Sequence, residues 1–473
     1  MASRRQWRLG AFAGGAIWAG VSGGISILLP LTVYICFARA LAPVEIGHFA
    51  LAVTLSEIVK IFGLAGLYEV LLQRRDEEER DQSAALGVFL LAGVLLLPVQ
   101  SGLLLGVLAL TDSWPSEGQL WLLLLMGLRV PIDLAMQQPQ AELACRRAYA
   151  RLAQRNMAAN LGSAALGLGV LALGFPELGL ATYTLAFSVA AALATIIGTG
   201  ALRRPRWDPE RLALLWREAL AATGVRGAAA ANSQLDQLLV GAMLGPLAFA
   251  HFNLGKRIEL AFLGVSSTFS ATLFQPHFAA TRQGERRRAT RSALVLLTAT
   301  IGAGTACFVA TADLVVGMLL GPAWLPAVPV TILLALSGYG RAIGSVHASL
   351  LSVSGRNALL LKCVIAGTIL GVLLVTSASP FGAAVAAAAM CLRGTVTSIA
   401  LAVTTRHDVG GSSVWMHLEC ACLPFLVMVG AAMAARGAVA GMAWASADVS
   451  LARSVLAILA AALAVGVCSA PGC

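Results

Sequence analysis

Charge is what this chain has least of. Lys, Arg, Asp and Glu make up 12% of its 473 residues, against 58% hydrophobic. A water-soluble domain carries roughly 25% charged residues. About half that supply cannot cover the surface of a chain this long, so most of it is read as embedded in lipid. Period-two alternation of apolar and polar residues is also missing, which argues against a β-barrel and for an all-α polytopic membrane protein. There is no Gly-rich phosphate loop ending in Gly-Lys-Ser/Thr, so ATP hydrolysis within the chain is excluded. No His, Cys and acid spacing resembles a metal site, and no metal or cofactor is expected. The nine cysteines are odd in number. Most, such as Cys36, Cys307, Cys363 and Cys391, sit in apolar runs as small hydrophobes rather than as a disulfide framework. Aromatics are few, at 6%.

What is present is a series of long apolar runs. A helix needs about 20 apolar residues to cross a bilayer. Cutting at polar clusters predicts spans at 11–37, 48–72, 84–110, 118–138, 157–175, 178–201, 218–244, 247–274, 290–312, 326–351, 358–377, 382–404, 417–435 and 451–468, about fourteen in all. Residues 1–10 are read as the start of the first span on the cytoplasmic side, because no small-residue cleavage site follows at signal-peptide distance. The basic residues then divide unevenly. With the N-terminus inside, 23 of the 33 Lys and Arg fall in cytoplasmic segments such as "RRDEEERD", "RRPRWDPERLALLWRE" and "TRQGERRRATR". Only Arg39, Arg436 and Arg453 fall outside, and the remainder lie within spans. This is a strong positive-inside bias and places both termini in the cytoplasm. The net charge of +10 is therefore a topology signal, with anionic membrane lipids as a secondary partner and no nucleic acid expected. The outside loops, "TDSWPSEG", "GFPELG" and "SASPFG", are too short to form a domain.

The chain echoes itself. Residues 43–49 read "PVEIGHF" and residues 246–252 read "PLAFAHF", both Pro-x-x-x-x-His-Phe at the start of a span. They occupy corresponding outside turns six spans apart, which suggests a parallel duplication of a six-helix bundle of the kind that builds transporters. The expected division is a first bundle over 1–201, a cytoplasmic linker over 202–217, a second bundle over 218–405 and two further spans over 406–473. His48 and His251 are read as loop positions, and His347 as a residue able to line a cavity. Glycines in runs such as "GLGVLALG" are read as helix-packing contacts.

A charged side chain at mid-membrane costs on the order of 2.5–3.5 kcal/mol on insertion scales, so each one retained there asks for a reason. Lys60, Arg129, Arg226, Lys256, Arg257, Arg341 and Arg393 lie within predicted spans, accompanied by Glu57, Glu69, Asp133, Asp236 and Glu259. Some can neutralise one another locally: Glu57 with Lys60, and Lys256 with Glu259, at i,i+3, and Arg129 with Asp133 at i,i+4 around Pro131, which should kink its helix. Arg226, Arg341, Arg393 and Asp236 have no opposite charge within a turn. They need a partner on another helix, a water-filled cavity or an anionic ligand. Arg341 and Arg393 are the sharpest candidates, because guanidinium holds phosphate bidentately and stays charged. The expected site is a cavity lined by Arg341, Arg393, Arg129, Arg226, Lys256, Arg257 and Lys60 for an anionic substrate. Asp236, Glu57 and Asp133 are candidates for binding a driving proton or Na⁺, with a salt bridge across the cavity as the equal alternative.

Three stretches then show a resemblance. "FARALAPVEIGHFALAVTLSEIVKIFGLAGLYEVLLQR" (37–74) resembles the first-to-second-span signature of bacterial polysaccharide-export flippases. "NSQLDQLLVGAMLGPLAFAHFNLGKRIE" (232–259) resembles their seventh-to-eighth-span region, and "LLGPAWLPAVPVTILLALSGYGRAIGSVHASLLSVSGRN" (319–357) their ninth-to-tenth-span region. The family belongs to the multidrug/oligosaccharidyl-lipid/polysaccharide exporter superfamily. The resemblance implies two six-helix bundles in a V around a central cavity, plus two C-terminal helices that form a lipid groove in some relatives. It also implies flipping of an undecaprenyl-pyrophosphate-linked oligosaccharide from the cytoplasmic to the periplasmic leaflet of the bacterial inner membrane. Alternating access coupled to a proton or Na⁺ gradient would drive it, and a polysaccharide polymerase and other export proteins would be partners of an otherwise monomeric carrier. A multidrug or cation exporter on the same fold is the alternative, but it should favour acids and aromatics in its spans. A membrane glycan polymerase or glycosyltransferase should carry a large outside loop or an Asp-x-Asp motif, and neither is present.

Overall fold

A computed structural model describes residues 28–63, 66–73, 79–146, 148–199, 205, 209–409 and 413–441. Every regular element among them is helical. Nine helical stretches among the described residues are long and apolar enough to cross a membrane. They cover the predicted spans at 84–110, 118–138, 178–201, 247–274, 290–312, 326–351, 358–377, 382–404 and 417–435. The spans predicted at 48–72, 157–175 and 218–244 are also helical, but are interrupted or more polar. The first predicted span is described only from Leu28, and the span at 451–468 lies outside the described residues, so the count of fourteen is not reached on this structure.

Sequence explains where the helices start and break. α1 (Leu28–Ala40) stops two residues before α2 (Pro43–Phe62), which opens on a proline whose missing N–H would be unpaired there anyway. The Glu45 carboxylate accepts the Ala42 N–H at 2.6 Å, closing the first turn. "RALAPVEIGHFAL" is therefore mostly helix, its turn confined to residues 41 and 42. His48 lies in α2, buried, and not in a loop as expected. α3 (Leu67–Gln73) and α4 (Glu79–Leu110) follow. The next stretch is segmented: α5 (Glu117–Leu125), a 3₁₀ turn (Met126–Leu128), α6 (Arg129–Ala135) and α7 (Gln137–Cys145). The irregular turn sits where Pro131 lacks the N–H that would bond back to Gly127, so the predicted kink is found. α8 (Tyr149–Ala172) and α9 (Pro176–Thr199) form a hairpin turning at Gly174, φ 89°. They approach closely where Gly167 faces Gly179, the small-residue contact expected of lipid-embedded helices.

α10 (Pro209–Phe269) is broken at Gly245, which takes φ 79° just before Pro246. The chain separates into two compact units near this break, Met1–Leu247 and Ala248–Cys473. This differs from the expected linker at 202–217. Residues 209–217 already belong to α10, and its Leu215 and Ala219 share a core with Val59, Leu71, Phe89, Val130 and Leu134. The seventh predicted span therefore packs with the first unit.

In the second unit come α11 (Gln275–Ala280), α12 (Arg286–Leu297), α13 (Ala303–Leu320), α14 (Val328–Val353), α15 (Asn357–Ala378), α16 (Ala383–Thr404), α17 (Arg406–Val409), α18 (Ser413–His417) and α19 (Leu423–Gly441). Three π-helical turns, Ser270–Phe274, Thr298–Gly302 and Leu418–Cys422, interrupt the spans. Tyr339 of α14 joins two of them. Its hydroxyl donates to the Ala421 carbonyl at 2.9 Å and lies 3.2 Å from the Thr298 hydroxyl, and its ring stacks on Phe425 at 4.2 Å. The described part of the expected C-terminal pair of spans thus shares one core with α12, α13 and α14.

The echoed motif has a structural counterpart in each unit. His48 Nε2 lies 2.9 Å from the Ser113 carbonyl, in the loop before α5. His251, which is helical and not in a loop, meets Trp324 edge-on at 6.3 Å, in the 3₁₀ turn Pro322–Ala327 before α14. The first span after the motif thus meets the segment before the fourth predicted span in the first unit and before the tenth in the second. Gly47 is needed at this end of the first unit: a Cβ there would lie 1.9 Å from the Pro246 carbonyl oxygen. Gly47→Ala is expected to destabilise the protein by about 1–3 kcal/mol through overpacking. Gly118→Ala, which meets open space, should be neutral or slightly stabilising. Thermal unfolding of the purified variants checks both, and equal melting temperatures for wild type and Gly47→Ala would refute the close approach.

Candidate functional site

The intramembrane charges collect into one cluster per unit. In the first, Glu57 and Lys60 stand one turn apart on α2 and meet Arg129 and Asp133 of α6. Lys60 Nζ is 2.8 Å from Glu57 Oε1 and 2.8 Å from Asp133 Oδ2. Arg129 Nη2 is 3.3 Å from Glu57 and 3.8 Å from Asp133. Each cation thus touches both acids. Arg129 Nε also donates to Ser188 Oγ of α9 at 3.2 Å. Two cations face two carboxylates, and Arg155 of α8 is a third cation within electrostatic reach of Asp133. Glu57 and Asp133, predicted to bind a driving ion, are both engaged by cations here.

In the second unit, Glu259 of α10 is the centre. Its Oε2 lies 2.9 Å from Lys256 Nζ, one turn away, and its Oε1 accepts from Arg341 Nη1 of α14 at 2.7 Å. Ser337 Oγ lies 3.1 Å from the same Oε1 and 3.2 Å from the Met390 carbonyl of α16. Gly338 lets α14 close on this point, since a Cβ there would be 3.1 Å from Glu259 Cα. The Glu259 and Lys256 side chains are 0% and 1% exposed, whereas Arg341 keeps 20%. Two cations thus grip one buried carboxylate, and Arg341 is the most exposed side chain of the three.

The two clusters repeat one design: a glutamate on the first span after the echoed motif is gripped by an arginine two spans later, Glu57–Arg129 and Glu259–Arg341. The predicted local pairs all form. Arg341, with no acid within a turn, finds its acid on another helix. Arg393 does not join it. This buried side chain runs from α16 along Gly371 of α15, and its Nη1 lies 3.9 Å from Met390 Sδ. Arg257 donates to Asn253 Oδ1 at 3.2 Å, and buried Asp236 accepts the Gln237 N–H at 2.8 Å. The side chain of Arg226 lies outside the described residues, as does that of Glu69.

Several participants were missed. Ser188 and Ser337 carry no signal at sequence level, since serines in apolar helices usually cap their own backbone. Arg155, assigned to a cytoplasmic loop, lies in α8 and donates to the Ala191 carbonyl at 3.2 Å. His347, read as cavity-lining, is fully buried: its Nδ1 is 3.0 Å from Thr405 Oγ1 and its Nε2 3.2 Å from His417 Nδ1. That correction follows from α14 packing along α16, which seals His347 between helices.

With this geometry in place, the comparisons are decisive about family. The model of the polysaccharide biosynthesis protein family matches residues 36–329. The chain belongs to this family. No curated protein matches. Among solved structures, the chain is similar to the lipid II flippase MurJ in an inward closed conformation, with 11% identity, TM-score 0.69, and coverage of 96% of this chain and 98% of that one. It is also similar to an inward-facing multidrug resistance MATE family transporter of the MOP superfamily, with 16% identity, TM-score 0.58, and coverage of 80% and 94%. A MOP superfamily transporter from Pyrococcus furiosus, described by a reversed polarity of its binding pocket, matches with 13% identity, TM-score 0.51, and coverage of 84% and 96%. The chain is a multi-pass membrane protein with the fold of these proteins.

The charged cluster of the first unit should behave as one coupled group. Lys60→Met and Asp133→Leu, each leaving an opposite charge with fewer partners, are expected to destabilise singly, while the double variant recovers part of the loss. The coupling should be about 1–3 kcal/mol. A double-mutant cycle by thermal unfolding reads it, and strictly additive effects would contradict the network.

Proposed function

We propose that the protein is a flippase that moves an undecaprenyl-pyrophosphate-linked oligosaccharide from the cytoplasmic to the periplasmic leaflet of the bacterial inner membrane, with both termini in the cytoplasm. The observation that carries this reading is Arg341, a guanidinium within a span that buried Glu259 holds at 2.7 Å while its own side chain stays 20% exposed. A pyrophosphate linkage suits a guanidinium, which offers paired donors and keeps its charge in a low-dielectric setting. Family membership supports a role in polysaccharide biosynthesis, and the likeness to a lipid II flippase supports a lipid-linked cargo.

The cation-exporter alternative is disfavoured by a specific observation. Glu57, Asp133 and Glu259 are each engaged by basic side chains of the same unit, which leaves them poorly suited to a cationic drug. Alternating access of the two halves would carry the cargo, coupled to a proton or Na⁺. Asp236, a buried acid on the broken helix α10, is the proposed coupling group. A polysaccharide polymerase and other export proteins would receive the product, and the carrier would work as a monomer.

Deletion of the gene should leave lipid-linked oligosaccharide on the cytoplasmic leaflet while the glycosyltransferases stay active. Normal delivery to the periplasm in a strain without a second flippase would refute the reading. Arg341→Ala should reduce export by at least about tenfold, with partial activity retained by Arg341→Lys, as loss of a charge-assisted contact implies. Unchanged glycan output from Arg341→Ala at normal protein level would remove Arg341 from the site. Asp236→Asn should abolish the response of transport to an imposed proton or Na⁺ gradient in proteoliposomes, and a retained response would exclude Asp236 as the coupling group.

A further inference from the structure

We infer that Glu259 is a positioning residue for anion recognition, orienting the Arg341 guanidinium. This rests on the anionic-cargo reading above. Glu259 carries a full negative charge in the middle of a site proposed to attract anions, which is a poor choice on Coulombic grounds alone. Its geometry supplies the reason. The carboxylate divides its two oxygens between two cations: Oε2 faces Lys256 at 2.9 Å, and Oε1 takes Arg341 Nη1 at 2.7 Å. Lys256, 1% exposed, is thereby neutralised where no ligand reaches it. Arg341 is held by one edge of a rigid planar group, so the direction of its plane is set as well as its place. Ser337 lies 3.1 Å from the same Oε1 and within reach of the Met390 carbonyl, which fixes the carboxylate in turn. Because the side chain of Glu259 is 0% exposed and that of Arg341 20%, an approaching phosphate reaches Arg341 and not the acid behind it.

Positioning and electrostatics predict opposite signs. Glu259→Gln raises the local charge by one, so attraction alone would tighten anion binding. If Glu259 orients Arg341, the same change should weaken binding, because misplacement of a bidentate donor can cost on the order of ten- to a hundredfold. The full chain is reconstituted in nanodiscs of neutral lipid and titrated calorimetrically with inorganic pyrophosphate, which reports dissociation constant and stoichiometry separately. A merely structural role for Glu259 would lower the bound fraction and the melting temperature but leave the dissociation constant of the folded protein unchanged.

Expected are an approximately tenfold weaker dissociation constant for Glu259→Gln and partial rescue in Glu259→Asp, which keeps the charge. Ser337→Ala, which removes one restraint on the carboxylate without changing any charge, should weaken binding less. Equal or tighter pyrophosphate binding by folded Glu259→Gln would overturn the positioning role. Should that variant not fold, unchanged binding by Ser337→Ala and Glu259→Asp would overturn it instead. Wild-type protein that binds no pyrophosphate, together with normal export by Arg341→Ala, would instead overturn the anionic-cargo reading itself, and this inference with it.

Discussion

A carboxylate that lipid cannot solvate is the constraint on which the second unit depends. Glu259 stands within an apolar span, where an unpaired charge would be costly. It is tolerable because Lys256 comes from its own helix and Arg341 from α14. That pairing requires α10 and α14 to approach closely, which Gly338 allows, and it fixes their relative depth. Ser337 ties the same point to α16 through the Met390 carbonyl. Three helices are thus set in register by one buried acid, in a medium where apolar side chains alone give little preference for one helix pairing over another.

The first unit applies the same device with a second acid. Glu57 and Asp133 face Lys60 and Arg129, so that each cation is shared between α2 and α6. The correspondence extends to the ends of the helices, where His48 meets the loop before α5 and His251 the 3₁₀ turn before α14. Both resemblances are what a duplicated bundle would leave. In each unit a buried or half-buried acid fixes how two helices face one another, because its charge must find a cation inside the bundle.

The family match and the geometry inform different parts of the reading. The match to the polysaccharide biosynthesis protein model assigns the chain to its family. Solved relatives at 11–16% identity establish the fold shared by flippases and drug transporters alike.

The sequence by itself determined what depends on local order. Apolar runs of bilayer length marked most of the helices, and Pro131 marked the irregular turn before it. Spacings of three and four residues foretold the Glu57–Lys60, Lys256–Glu259 and Arg129–Asp133 pairs, because such residues share a helix face whatever the fold. The echo of Pro-x-x-x-x-His-Phe marked two corresponding helix starts, whose histidines each meet a neighbouring segment. Tertiary structure alone decided which groups meet across helices: Arg341 with Glu259 over 82 positions, Lys60 with Asp133 over 73, and His347 with His417 over 70. It also turned Arg393 away from Arg341 toward α15, and assigned the start of α10 to the first unit. The physical reason is that helix rotation and depth are set by packing against neighbours, through glycines and buried hydroxyls whose role no periodicity records.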